Sequence, residues 1–159
     1  MLNFVVYLII FCLFCIYPAF SFAEIEKGRW VFINEADYCL IQSAPVKTDI
    51  PKGKLRGEYY IYVYRINKNP DPTVQLTAGY DYKSSESIKV MIDNSEYDFW
   101  SDSDIPDTAW AKDDKKVIYA MKKGLKLVTQ GISSKGTKVI DTYTLKGFTA
   151  AYNKLINNC

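Results

Sequence analysis

No histidine occurs anywhere in the 159 residues. That absence removes the commonest general base, the usual partner of a nucleophilic serine or cysteine, and the commonest zinc ligand. There is no glycine-rich phosphate loop, and no Ser-x-x-Lys to support a serine–lysine dyad. Internal repeats, low-complexity tracts and long linkers are missing too. A formal net charge of only +2 gives no reason to expect nucleic acid or an anionic membrane surface as partner. Paired carboxylates remain as potential chemistry, and a glycosidase would need two of them facing each other at about 5–9.5 Å. No catalytic, cofactor-binding or metal-binding residue is assigned. The chain is expected to bind rather than to catalyse, with no cofactor.

Charge is absent from residues 1–23, and that is itself a signal. From Phe4 to Phe20 the side chains are almost wholly apolar, Pro18 sits where a helix should break, and Ser21-Phe22-Ala23 precedes the charged Glu24. A hydrophobic run followed by a small-x-small site reads as a signal peptide over residues 1–23, cleaved after Ala23. The competing reading is an uncleaved anchor. Met1-Leu2-Asn3 carries no Lys or Arg, and the run lies at the short end of the roughly 17–25 residues that span a bilayer. Pro18 and the cleavage site favour export to the periplasm or medium, with no membrane anchor left behind.

Cleavage takes Cys12 and Cys15 away with the apolar run. Cys39 and Cys159 remain, an even count in an oxidising compartment, so a single intramolecular disulfide is expected. Residues 24–159 suffice for one domain with a real core.

Most of that domain reads as strands. Arg29–Ile33 and Tyr38–Gln42 form a hairpin across Asn34-Glu35-Ala36-Asp37, and Glu58–Ile66 is dense in aromatic and β-branched residues. The cluster Asn67–Pro72 reads as a break, followed by strands at Thr73–Tyr80, Ser87–Ile92 and Tyr97–Ser101. Leu125–Ile132 and Lys138–Leu145 make a late pair. One short helix follows a cap at Asp113 or Asp114, presents Val117, Ala120 and Met121 on one face, and stops at Gly124. A second starts near Gly147 and carries the stripe Phe148, Ala151, Tyr152, Leu155, Ile156. The expected fold is mostly β, an antiparallel β-sandwich or barrel-like domain with two short α-helices, the second at the C-terminus. Lys52-Gly53-Lys54-Leu55-Arg56 reads as a solvated basic loop.

Two features suggest a binding surface. Strand alternation puts Tyr60, Tyr62, Tyr64 and Ile66 on one face and Tyr59, Ile61 and Val63 on the other. The aliphatic set suits a core. A tyrosine stripe suits a half-wet face, either as the outer surface of a central strand or as a contact strip. Trp100 and Trp110 flank the acidic stretch Ser101–Asp107 and invite the same two readings. The alternating Asp and Ser oxygens there resemble calcium ligands, but the glycine turn and distal Glu of a calcium loop are missing. Local turns made by those side chains are the simpler account.

The chain also resembles the invasion-associated locus B proteins of alphaproteobacteria. The resembling features are Gly28-Arg29-Trp30, Cys39–Pro45, Ala109-Trp110-Ala111, Met121–Gly124, Gly131–Thr137 and above all Asp141–Ala151, with Cys159 closing the chain. The resemblance implies a small envelope or secreted protein, in some members linked to host-cell invasion, without an established enzymatic activity or cofactor. A host or envelope protein or glycan is the expected class of partner, by way of the tyrosine face. The alternative is a structural or stress-related envelope protein with no host ligand.

Overall fold

The computed structural model describes residues 26–66 and 69–159; the signal-peptide reading at 1–23 lies outside the described residues. The first half contributes β1 (Val31–Asn34), β2 (Tyr38–Ser43), β3 (Lys47–Asp49), β4 (Tyr60–Ile66) and β5 (Asn69–Thr77). The second contributes β6 (Lys89–Ile92), β7 (Ser95–Ser101), β8 (Thr108–Ala111), α1 (Asp114–Lys123), β9 (Lys126–Ile132), β10 (Lys138–Thr144) and α2 (Phe148–Asn158). All the strands lie in one curled, half-barrel antiparallel sheet, in the order β1-β2-β4-β5-β8-β7-β6-β9-β10-β3. Strand β7 joins its two halves, because Ser95–Asp98 pair with β6 whereas Phe99–Ser101 pair with β8. The expected fold class is what forms.

The core sits on the inner face of the curl. Cys39 and Ile41 of β2, Ile61 and Val63 of β4, and Val74 and Leu76 of β5 are buried there. They pack with Val117, Ile118 and Met121 of α1 and Phe148, Ala151 and Leu155 of α2. Each helix thus buries one stripe, which is what holds helices of this length in place. Asp113 caps α1 by accepting from the Lys116 backbone N–H at 3.0 Å. Gly124 ends α1 in an extended conformation (φ −78°), so it is not a left-handed stop. Space explains it instead, because a Cβ there would lie 2.7 Å from Ile92 Cγ2 and 3.0 Å from Leu145 Cδ1. The Cys39–Cys159 disulfide forms, with the two Cα atoms 5.6 Å apart, and ties the end of α2 to β2.

Two expectations change. β5 runs back through the prolines at 70 and 72, where a break was read. On β5, β8 pairs only with Gln75–Thr77, so the stretch holding the two prolines has no strand on that side, and the register with β4 shifts between Tyr64 and Ile66. The other change concerns Arg56, which is buried and paired rather than solvated.

Candidate functional site

The helices cover the inner face of the sheet, and the five aromatic candidates lie on the outer one. On β4, Ile61 and Val63 are buried while Tyr60, Tyr62 and Tyr64 are half-buried. Partners across neighbouring strands point to the same side of a sheet. Gln42 pairs with Tyr62, Tyr62 with Gln75, Gln75 with Trp110, and Trp110 with Trp100. One rung therefore crosses β2, β4, β5, β8 and β7 and joins residues from both sequence clusters. Leu40, Tyr64 and Thr73 form the adjacent rung, and Tyr60 stands opposite Thr77 on the other side.

The rings touch one another along this surface. Trp100 and Trp110 have centroids 5.2 Å apart and planes tilted by 33°, and Tyr60 meets Tyr62 edge-on at 5.9 Å. Trp100 remains 45% exposed, and Tyr38 and Ile66 at the margin are 41% and 51% exposed. A shallow cleft of about 270 Å³ opens between Tyr38, Leu40, Tyr62, Tyr64, Gln75 and Thr77. Burial pushes the Tyr62 phenol up to about 12 despite its hydrogen bond with Thr77, so it stays protonated at neutral pH. The acidic stretch beside the tryptophans spends its oxygens locally: Asp102 accepts from the Asp104 N–H at 2.8 Å, and Asp107 from the Thr108 hydroxyl at 3.0 Å.

A second cluster escaped the sequence reading. The Arg56 guanidinium grips Asp141 with two bonds, Nη1 to Oδ2 at 2.7 Å and Nη2 to Oδ1 at 2.6 Å. The two side chains are only 5% and 7% exposed. Thr48 donates to the same carboxylate at 2.7 Å, Arg56 also donates to the Ala78 carbonyl at 3.3 Å, and the guanidinium lies 3.5 Å over the Tyr59 ring. Burial alone would pull the Arg56 pKa down, but bonding and charge from Asp141 outweigh it and the pKa is raised. Gly79 makes this packing possible at φ +71°, where a Cβ would sit 2.5 Å from the Gly57 carbonyl oxygen. Asp141 is the one carboxylate buried among the described residues, and with Arg56 and Thr48 on it, it is committed to a structural pair.

Three tyrosines crowd that cluster. Burial, reinforced by the Asp141 charge, pushes Tyr80 up to about 12, raises Tyr82 further, and raises the fully buried Tyr143. An unfolded tyrosine ionises near pH 10. The fold therefore favours the neutral phenols: their contribution is complete below about pH 10 and is lost as pH rises through about 12. Urea unfolding followed by circular dichroism should show a level midpoint up to about pH 9.5 and a fall above it. After screening, each half-buried ring contributes roughly 1–2 kcal/mol of that fall. Tyr80→Phe should make it shallower, with Tyr82 and Tyr143 keeping the rest, and a midpoint that stays level to about pH 11.5 would contradict the assignment.

Comparison with known proteins fits this architecture. A family model described as invasion associated locus B (IalB) protein matches residues 34–156. The crystal structure of invasion associated protein B from Bartonella henselae aligns with a TM-score of 0.55 at 18% identity, covering 82% of this chain and 94% of that one. At that identity the likeness speaks for the fold alone. No curated protein matches the chain by sequence. The matched segment takes in nine of the ten strands described above, β2 to β10, with α1, most of α2 and Cys39, and on that extent of match the chain belongs to the invasion associated locus B family.

Proposed function

We propose that this chain is an exported, non-enzymatic binding protein that supports host-cell association through the outer face of its sheet. The observation that carries the reading is the single rung Tyr62–Gln75–Trp110–Trp100 on a solvent-facing surface, with the helices packed against the opposite face. Tyrosine and tryptophan give large contact area at low entropic cost and dominate recognition surfaces. The family description adds the association with invasion.

The test is binding of the labelled, purified protein to cultured animal cells and to isolated bacterial envelopes. The double variant Trp100→Thr/Tyr64→Thr keeps strand propensity while removing both rings. It should lose at least about tenfold in cell binding. Tyr119→Thr, which removes an exposed ring from α1, should bind like the parent. Unchanged binding by the double variant would overturn the reading. If a deletion strain retained host association but became detergent-sensitive, an envelope-structural role would replace it.

A further inference from the structure

Resting on that reading, we infer that the outer face takes a neutral, linear glycan. Charge decides against the alternatives first. None of the residues in the central rung (Gln42, Tyr62, Gln75, Trp110, Trp100) carries a charge, and neither does any in the flanking pairs Leu40–Tyr64–Thr73 and Tyr60–Thr77. Charges stand only at the edges of these rows, Glu58 and Asp107 near Tyr62 and the exposed Asp98 and Lys112 beyond the tryptophans, and they are of mixed sign, so neither a polyanion nor a basic or acidic peptide meets a complementary potential there.

The order of side chains along the rung is the second argument. Amide, phenol, amide, indole and indole follow one another at the strand spacing of about 4.8 Å, so the strip from Gln42 to Trp100 is about 19 Å long. A pyranose presents weakly positive C–H groups on its faces and hydroxyls around its perimeter. The faces suit the electron-rich faces of Tyr and Trp, and the hydroxyls suit amides that both donate and accept. Successive sugars of a linear chain repeat that pattern in one dimension, as the rung does.

Shape is the third. Protein interfaces anchor aromatic or Arg side chains in deep, fully desolvated pockets and bury about 800 Å² on each partner. Here an open cleft of about 270 Å³ lies on the face, lined by Tyr38, Leu40, Tyr62, Tyr64, Gln75 and Thr77. The Trp100–Trp110 pair, with ring centroids 5.2 Å apart, follows Gln75 along the same rung. A flat sugar ring fits a shallow, half-polar trough better than a protruding side chain does.

The experiment uses the purified, oxidised protein and a panel of neutral oligosaccharides: chitohexaose, cellohexaose, laminarihexaose and xylohexaose. Heparin and polygalacturonate serve as charged comparators. Tryptophan emission should shift saturably with at least one neutral probe. Trp100→Thr should weaken that binding about tenfold, and Gln75→Ala several-fold. Raising salt from about 50 mM to about 500 mM should change the affinity by less than about twofold, since no ion pair is formed. The inference is overturned if no neutral probe binds, if binding survives Trp100→Thr, or if only the charged comparators bind. Should no neutral probe bind while Trp100→Thr still abolishes cell binding, a protein partner occupies this face and the binding reading stands. Should Trp100→Thr leave cell binding intact, the binding reading itself fails.

Discussion

Cys159→Ser is expected to lower the unfolding free energy by about 4 kcal/mol and to release α2 before any other element. The bridge closes a loop of 120 positions, and cross-links of that length contribute on the order of 4–5 kcal/mol in the chain-entropy model. The local consequence follows from how α2 is held. It has 11 residues, starts at a left-handed Gly147 with no side-chain cap, and carries no acidic residue in its first turn. Such a helix is marginal alone. Apart from the disulfide it relies on the buried stripe Phe148, Ala151 and Leu155, on Trp30 edge-to-face with Phe148 at 4.9 Å, and on Arg65 donating to the Ile156 carbonyl at 3.3 Å. Cys159 is the better site to change because it is exposed, whereas Cys39 is 1% exposed and a serine there would bury a new hydroxyl. Urea titration with and without reductant measures the global term. Amide exchange resolves the order, with α2 losing protection ahead of β9 and β10. A midpoint that reductant leaves in place, or α2 amides protected as long as the sheet, would contradict this account.

The legible part of the fold was the part written in local periodicity. The hairpins β1–β2 and β9–β10, the alternation of β4 and the stripe of α2 depend on neighbours in sequence, so the residues themselves display them. β3 and β8 went unread because neither shows an alternation of its own: β3 is Lys-Thr-Asp without an apolar residue, and β8 runs Ala-Trp-Ala unbroken. The prolines of β5 misled for another reason: only the sheet order shows that its first residues lack a partner on one side. Of the candidate face, the tyrosine row and the two tryptophans were visible, but not their union. Tyr62 and Trp110 meet through Gln75, a residue without any distinguishing local signal. Arg56 was hidden most completely. In sequence it ends a basic, glycine-containing loop, and its partner lies 85 positions away on β10. The only clue was Asp141 in the midst of the alternating Val139–Tyr143 stretch, an acid where a core-facing residue was due.

Asp141→Asn tests how much depends on that hidden pair. The substitution keeps shape and leaves Thr48 an oxygen to donate to, but strands the Arg56 cation in a site only 5% exposed. Breaking a buried pair from one side costs about 3–5 kcal/mol, most of it the penalty of the uncompensated charge. The loss should localise to residues 50–59, because Arg56 is the side chain through which that loop grips β10, Thr48 of β3 and the Ala78 carbonyl. A second effect separates charge from packing. The Asp141 carboxylate helps raise Tyr80, Tyr82 and Tyr143, while Arg56 lowers them. Removing the anion takes away one influence that raises the phenols while the cation that lowers them stays, so the alkaline loss of stability should keep its onset near pH 10 but be smaller in Asp141→Asn than in the parent. The paired change Arg56→Met/Asp141→Leu should recover most of the stability at neutral pH, since well-packed apolar residues replace buried ion pairs at little cost. Stability of Asp141→Asn within about 1 kcal/mol of the parent would show the pair to be solvated in practice. A double variant as weak as the single one would show that the geometry of the fork, and not relief from a stranded charge, holds the loop.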